Sequence, residues 1–307
     1  MRIANVAYSL PAHIVRNEDL WGEFPDRDID RMGMKLGIKQ RRVCTSVEDV
    51  GDLAYSAAEK VLENYDRSQV DFLILCTQTP TYYLPSTACL LQNKLLLRRD
   101  IGAFDVNLGC SGFVYLLALA KGLMHVQAAR AILVVVAEAY SKHLSRDQVG
   151  ERMIFGDAAA AVILEPSERQ QVGEFAFGTD GRGAFNLYAP ISGGFHMDGP
   201  AIFAFTLQEV PRTVEAVLGR NGVTKEEVSY FIFHQANAYM LEALRVKMQI
   251  PHGKFYNDIE LTGNTVSCTI PIALAECLKE EIIAEGDRVL LCGFGVGYSW
   301  AATVVEI

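Results

Sequence analysis

The fold is indicated by a short apolar stretch, Val70-Asp-Phe-Leu-Ile-Leu75, which has a counterpart 158 residues further along the chain, Val228-Ser-Tyr-Phe-Ile-Phe233. Both stretches have the length and composition of buried β-strands. Each follows a helix-like segment, residues 57–65 before the first stretch and residues 214–221 before the second. This self-similarity predicts an internal duplication.

The same offset, carried forward without a gap, aligns further features in the same order. It places Cys110 on Cys268, Arg130 on Arg288, and residues 131–136 on residues 289–294. The first half is predicted to contain strands at 71–76, 102–106, 131–137 and 158–164 and helices at 85–97 and from Ser111 to about Ala128. This alternation is typical of an α/β protein whose helices cover buried sheets. We predict two packed halves, residues 1–165 and 166–307, joined by a turn-rich region at about 166–200 whose strands the pattern does not define.

Composition excludes several classes of protein. Of the 307 residues, 50% are hydrophobic and 21% are charged, which is typical of a globular chain and excludes global disorder. The net charge of −9, without a Lys/Arg run longer than a pair, argues against nucleic acid as a partner. The longest apolar stretch, Phe113–Ala120, is far shorter than the roughly 20 residues of a membrane span. The first residues do not resemble a signal peptide, so we expect a cytoplasmic protein.

The seven cysteines show no metal-binding pattern. No C-x-x-C pair is present, and no cysteine lies at ligand spacing from a histidine, so a metal site is not expected. In a reducing compartment most of these thiols should be small buried hydrophobic groups.

Cys110 is the first candidate for chemistry. It lies in Asp105-Val-Asn-Leu-Gly-Cys-Ser-Gly-Phe113, at the junction of a predicted strand and a long apolar helix. Gly109 and Gly112 suit a tight turn, and the positive end of the helix dipole should lower the pKa of a thiol there. The alternative is a small residue that merely packs at a crowded turn.

Two further candidates lie in the second half. His234 follows the predicted strand that ends at Phe233, at the rim where α/β sheets present functional groups, although an isolated histidine is more often structural. Asn264 lies in a Gly-Asn turn before a helix that is predicted to begin near Pro271. Its amide could donate to an oxyanion, but asparagine in such a turn is usually a conformational choice.

The glycine-rich segment Gly293-Phe-Gly-Val-Gly-Tyr-Ser-Trp300 is not a dinucleotide fingerprint, because only seven residues follow Trp300. It could still offer backbone N–H donors to a site.

Several motifs together are similar to one family. They are Asn107-Leu-Gly-Cys-Ser-Gly-Phe113, Phe155-Gly-Asp-Ala-Ala-Ala-Ala-Val162, His234-Gln-Ala-Asn237, Gly263-Asn-Thr265 and the glycine-rich loop before Trp300. In these motifs and their spacing, nearly end to end, the chain resembles the β-ketoacyl-acyl carrier protein synthase III family of the thiolase superfamily. The resemblance implies a duplicated five-layer αβαβα fold, which would account for the repeat.

The resemblance also implies a set of roles. Cys110 would be the acylated nucleophile of a Cys-His-Asn triad completed by His234 and Asn264, with the backbone N–H groups of Cys110 and Val296 as the oxyanion donors. A malonyl thioester would lose CO₂, and its carbanion would attack the acyl-Cys110 carbonyl. The substrates would be acyl-coenzyme A or acyl-carrier thioesters, and no cofactor is implied. Leu84 would reach into the acyl pocket of a neighbouring subunit, which implies a homodimer.

Other positions depart from the family pattern. Arg31 stands where well-known members carry a Trp that stacks on the adenine of coenzyme A, and Lys35 and Tyr239 stand where members carry Arg. These departures leave open whether coenzyme A or acyl carrier protein delivers the acyl group. Arg245 and Lys247 are the candidates for docking an acidic carrier protein, although two basic residues on a helix are more often a solvated face.

The leading hypothesis is therefore a decarboxylating condensing enzyme, an acyltransferase of the 3-oxoacyl-acyl carrier protein synthase III type. It would initiate fatty acid synthesis or serve a specialised acyl or polyketide pathway. One alternative is an acyltransferase of the same fold that passes the acyl group from Cys110 to a non-malonyl acceptor. The other is a non-catalytic scaffold subunit, which would need neither Cys110 nor its two partners.

Overall fold

The computed structural model describes residues 1–191 and 193–307. The first part of the chain builds a five-stranded sheet and the helices that cover its outer face. Its elements are β1 (Arg2–Ser9), β2 (Ile14–Arg16), α1 (Ile29–Leu36), β3 (Gln40–Arg42), α2 (Val50–Leu62), β4 (Val70–Cys76), α3 (Thr87–Lys94), β5 (Gly102–Val106), α4 (Gly112–His125), β6 (Ala131–Glu138), α5 (Val149–Ile154) and β7 (Ala158–Glu165). The order in this sheet is β1-β7-β6-β4-β5, and β2 pairs with β3 in a separate ribbon.

The second part of the chain builds a four-stranded sheet of related design. Its elements are β8 (Val172–Thr179), β9 (Leu187–Tyr188), β10 (His196–Met197), α6 (Gly199–Asn221), β11 (Tyr230–Phe233), α7 (Ala238–Lys247), α8 (Thr269–Lys279), β12 (Arg288–Gly295) and β13 (Ser299–Glu306). The order in this sheet is β11-β12-β13-β8, and β9 pairs with β10. Among the helices of the described residues, none is long and apolar enough to cross a membrane.

The two sheets share one topology. In the first sheet β4 and β6 are parallel, β7 is antiparallel to β6, and β1 is antiparallel to β7. In the second sheet β11, β12, β13 and β8 repeat that pattern of parallel and antiparallel pairs. The counterpart of β5 is reduced to one parallel bridge between Phe231 and Phe255. The predicted duplication is confirmed by this correspondence, whereas the division at residues 165 and 166 stays a prediction.

Five layers follow from how the helices pack. The helices α4 and α8 each contact strands of both sheets, so they form the middle layer. The outer face of the first sheet is covered by α2 and α3, and that of the second by α6 and α7. The sequence explains this arrangement, because β6 and β7 are apolar on both faces and almost wholly buried, as strands between two helical layers must be.

The predicted elements are confirmed in kind, but several boundaries differ. The helix predicted at 85–97 is shorter and comprises Thr87–Lys94, and α4 ends at His125 rather than near Ala128. The helix expected to begin near Pro271 begins at Thr269, since proline is well tolerated in the first turn of a helix. The turn-rich connection contains β8, a strand interrupted by glycine and polar residues that the periodicity did not reveal.

Candidate active site

The loop between β5 and α4 places Cys110 at the N-terminal end of the central helix. The neighbouring strand β12 passes close to the thiol, because a methyl group added at Gly295 would lie 2.8 Å from the sulfur. A methyl group at Gly109 would lie 2.7 Å from Val296 Cγ1. These two glycines therefore allow the backbone after β12 to approach the nucleophile closely.

Two backbone N–H groups are directed at the sulfur of Cys110. They belong to Val296 and to Cys110 itself, and both lower the pKa of the thiol. These are the two groups expected from the resemblance to stabilise an oxyanion. Burial outweighs these two N–H groups and raises the pKa of the Cys110 thiol to about 12, whereas the lowering expected from the helix N-terminus stays a prediction.

His234 lies directly after β11, with its ring buried against the edge of Phe294. Its Nδ1 is 2.8 Å from Thr269 Oγ1. Burial lowers the pKa of the imidazole to about 3, and the Val266 carbonyl acts in the opposite direction. Burial thus favours the neutral form of both the imidazole and the Cys110 thiol.

Asn264 presents its amide nitrogen to the imidazole. Its Oδ1 accepts a hydrogen bond from the Val266 N–H at 2.8 Å, which leaves Nδ2 facing His234 Nε2 at 3.5 Å. Its backbone is held by the Ile154 carbonyl at 2.8 Å and by the Gly156 N–H at 3.0 Å. This bracing fixes the amide as a donor, so the residue does more than form a turn.

Cys110, His234 and Asn264 line one cavity of about 370 Å³. Most of its other walls are apolar, and they include Phe155, Met197, Ile202, Phe203 and Phe294. The Cys110 and His234 side chains are joined by no hydrogen bond among the described residues, and both border the cavity space. A largely apolar cavity with three convergent polar groups is the usual form of a small-molecule site.

Behind the thiol lies a buried carboxyl group that the sequence reading missed. Glu138, at the end of β6, accepts hydrogen bonds from the Gln78 N–H at 3.1 Å and from Ser267 Oγ at 3.0 Å. Burial raises its pKa to about 8. Because Ser267 is three residues after Asn264, Glu138 ties the first half of the chain to the loop that carries the amide. The only hint of this group in the sequence was that Glu138 is a single acidic residue at the end of an otherwise apolar strand.

The residues expected to contact the donor lie in different places. Lys35 lines the cavity, and its Nζ lies 5.3 Å from the centre of the Tyr239 ring, whereas Arg31 is exposed and is not among the lining residues. Arg245 is bound to Glu242 at 2.6 Å and to the Ile250 carbonyl at 2.9 Å, while Lys247 is exposed.

Leu84 is 84% exposed and lies outside the cavity of its own chain. Thr269 was also missed by the sequence reading, because only the fold brings it behind His234.

Known proteins resemble this chain along its whole length. The family model described as 3-oxoacyl-[acyl-carrier-protein (ACP)] synthase III matches residues 104–181, and the model of the C-terminal part of that enzyme matches residues 218–307. A beta-ketoacyl-[acyl-carrier-protein] synthase III of Streptococcus equi subsp. zooepidemicus is 35% identical, with 100% of this chain and 99% of the relative covered.

Solved structures agree with this likeness. A 3-oxoacyl-(acyl-carrier-protein) synthase III is 42% identical with a TM-score of 0.95, covering 100% of this chain and 99% of the other. The 3-oxoacyl-(acyl-carrier protein) synthase of Burkholderia xenovorans LB400 is 34% identical with a TM-score of 0.96, covering 100% and 93%. The chain belongs to the 3-oxoacyl-[acyl-carrier-protein] synthase III family of condensing enzymes.

Proposed function

We propose that this protein catalyses the decarboxylating condensation of an acyl thioester with malonyl-acyl carrier protein, releasing a β-ketoacyl product. The observation that carries the proposal is the single cavity that Cys110 shares with His234 and Asn264. The relatives named 3-oxoacyl-[acyl-carrier-protein] synthase III support this condensation, in fatty acid initiation or in a specialised acyl or polyketide pathway.

The first half-reaction transfers the acyl group to Cys110. As the sulfur attacks the acyl carbonyl, its proton passes to the imidazole of His234 and then to the departing thiol. The carbonyl oxygen becomes negative in the tetrahedral intermediate, and the N–H groups of Cys110 and Val296, which act on the sulfur in the free site, would stabilise it. Because burial disfavours a free thiolate, the sulfur loses its proton to His234 as it attacks rather than beforehand.

The second half-reaction forms the carbon–carbon bond. The malonyl carboxylate leaves as CO₂, and its electron pair becomes an enolate whose oxygen is stabilised by the Asn264 amide and the His234 ring. An apolar cavity favours this step, because burial destabilises the malonyl carboxylate more than the neutral CO₂ that it releases. The carbanion then attacks the acyl-Cys110 carbonyl, and the sulfur is the leaving group. The acyl groups arrive as thioester substrates, so the proposal needs no cofactor.

The donor and carrier contacts are part of this proposal. Lys35 and Tyr239 lie at the cavity and would meet the donor, while Arg31 and Lys247 are exposed cations that could contact an acidic carrier protein. Arg245 is less suited, because Glu242 and the Ile250 carbonyl already occupy its guanidinium group.

A homodimer would explain two exposed features of the first half. The edge strand β5 has one free side, and Leu84 projects into solvent from the segment that precedes α3. Pairing of β5 with its copy would protect that edge and bring Leu84 to the acyl pocket of the other subunit, as the resemblance implies.

Intact-mass measurement tests the function directly. The protein is exposed to a panel of acyl-coenzyme A and acyl-carrier thioesters, and malonyl-carrier is then added. We expect a mass gain that maps to Cys110 and that disappears, with CO₂ release, when malonyl-carrier is present. Acylation that only a non-malonyl acceptor discharges would favour the acyltransferase alternative, and no acylation by any donor would favour the scaffold.

A further inference from the structure

A second, polar pocket of about 250 Å³ lies behind His234, on the side away from the acyl cavity. We call it the rear pocket. Its inner end is formed by Gln235, Thr265 and Thr269, all at least 97% buried, and its outer rim includes the exposed residues Asp258 and Leu261. The rear pocket shares no lining residue with the acyl cavity. Its inner end is therefore separated from the His234 ring by the side chain of Thr269.

The rear pocket has the polarity and the size to hold water. Its ionisable side chains are Tyr8, Arg42, Tyr256, Asp258 and Glu276. At its inner end, Gln235 donates through Nε2 to the Phe233 carbonyl at 2.7 Å, and its Oε1 has no donor among the described residues. Buried polar atoms of this kind are normally bonded to water, and one water needs only about 10–15 Å³.

Thr269 connects the rear pocket to the imidazole. Its Oγ1 lies 2.8 Å from His234 Nδ1 and 3.1 Å from the Val266 carbonyl oxygen. The hydroxyl has one hydrogen, so it donates to only one of them at a time. When the Thr269 hydroxyl donates to the Val266 carbonyl, it accepts a hydrogen bond from Nδ1–H of His234, and Nε2 of the imidazole carries no hydrogen. When it donates to Nδ1, Nε2 carries the hydrogen.

The backbone supports these two arrangements. Val266 has a φ of 56°, which is rare for a β-branched residue. Its N–H donates to Asn264 Oδ1, and its carbonyl oxygen accepts a hydrogen bond from the Thr269 hydroxyl. A strained conformation persists where its surroundings enforce it, and such positions cluster at functional sites. Here the strained residue supplies the second acceptor that the Thr269 hydroxyl needs.

The proposed reaction consumes a proton in its second half. Decarboxylation and carbon–carbon bond formation release Cys110 as a thiolate, and burial makes the neutral thiol much the more stable form. The apolar acyl cavity is filled by substrate at that moment, so the proton must enter by another route.

We propose that Thr269 relays this proton from water in the rear pocket to His234, an inference that rests on the proposed condensation. Between the half-reactions, while the acyl cavity is open, water gives a hydrogen to Nε2 and Nδ1 returns its own to the rear pocket through Thr269, so Nε2 carries the hydrogen when malonyl-carrier binds. As the bond between the acyl carbon and the Cys110 sulfur breaks, the sulfur takes that hydrogen. Nδ1 takes the hydroxyl hydrogen of Thr269, and the hydroxyl takes one from a water in the rear pocket, which draws it from solvent. The net change is one proton gained, and the imidazole ends with a bare Nε2. Thr269 is thus a positioning residue that acts through the histidine.

Two variants at one position test the relay. Thr269→Val keeps the shape of the side chain but lacks the hydroxyl, and Thr269→Ser keeps the hydroxyl. Acylation of Cys110 is followed by intact mass. Discharge of pre-acylated protein by malonyl-carrier is followed in single turnover, in H₂O and in D₂O. We expect Thr269→Val to acylate within about threefold of the wild type but to discharge at least about tenfold more slowly, with a larger solvent isotope effect. We expect Thr269→Ser to restore both the rate and the isotope effect.

Several results would overturn the relay. They are a Thr269→Val variant that discharges at the wild-type rate, one that loses acylation to the same extent as discharge, and a Thr269→Ser variant that fails to rescue. If Thr269→Val does not fold, Thr269→Ala is held to the same criteria. A wild-type protein that acylates but is never discharged by malonyl-carrier would instead refute the proposed function, so the two failures are distinguishable.

Discussion

The two halves of the molecule place a cysteine at the same point of the repeat, and one of the two thiols lines the acyl cavity whereas the other does not. Cys110 and Cys268 both come just before a helix of the middle layer, α4 and α8. Cys110 faces the acyl cavity, with the N–H groups of Val296 and of Cys110 itself directed at its sulfur. Cys268 is fully buried, and its Sγ lies 3.4 Å from the Val136 carbonyl oxygen and 3.3 Å from that of Ala158.

Hydrogen bonding alone does not separate the two thiols. Two backbone N–H groups act to lower the pKa of Cys110. At Cys268 the Val136 and Ala158 carbonyls accept, while the Ser267 hydroxyl and the backbone of Ala160 act to lower the pKa of that thiol as well. Burial raises the pKa of both groups, so burial alone does not distinguish them. The duplication supplies a position, and access to the acyl cavity, which Cys110 lines and Cys268 does not, distinguishes the candidate nucleophile from a structural thiol.

The largest change in acylation is expected when each of the two cysteines, Cys110 and Cys268, is replaced by alanine in turn. Cys110→Ala removes the nucleophile and should reduce acylation at least about a thousandfold, because no other thiol lines the cavity within the described residues. Cys268→Ala is the matched control. It should acylate within about threefold of the wild type while lowering the free energy of unfolding by about 1–2 kcal/mol, since a buried sulfur is lost. Acyl-adduct mass and denaturant titration measure the two quantities, and acyl transfer to Cys268 would contradict the comparison.

The sequence predicted what depends on local pattern and on the repeat. The strand Gly102–Val106 and the placement of Cys110 before an apolar helix followed from a few neighbouring residues. The glycine-containing strand β8 was missed because its alternation is broken. The raised pKa of Cys110 was missed because it depends on how deeply the loop is buried, which the local sequence does not encode.

Residues that act across the two halves could not be found in this way. Glu138 bonds Ser267, 129 residues away, and Thr269 reaches His234 only because α8 packs behind β11. The repeat offset aligns Glu138 with Val296, so equivalent strand ends carry a buried carboxyl in one half and a backbone donor in the other.

A smaller effect, on the pH dependence of stability, is expected at Glu138, which the repeat pairs with Val296. The pKa of Glu138 is raised from its ordinary value of 4.5 to about 8, so between these pH values the folded protein holds a proton that the unfolded chain has released. The free energy of unfolding should therefore fall as pH rises through this window, by at most about 1.4 kcal/mol per pH unit from this group.

Glu138→Gln stays neutral at every pH and removes this contribution. Denaturant titrations of both proteins at intervals from pH 5 to pH 8 should show the variant gaining stability relative to the wild type as pH rises. Parallel curves for the two proteins would mean that Glu138 is ionised in the folded state.

The smallest effect concerns the exposed surface of the first half, where the comparison is between two leucines of equal exposure. Leu84 and Leu96 are both 84% exposed, so replacing either by alanine should leave the free energy of unfolding nearly unchanged. If Leu84 enters the acyl pocket of a neighbouring subunit, Leu84→Ala enlarges that pocket and should shift donor preference toward longer acyl chains by about fivefold. Leu96→Ala should not. Acylation rates across a series of acyl chain lengths measure the shift, and equal behaviour of the two variants would show that Leu84 has no part in chain-length selection.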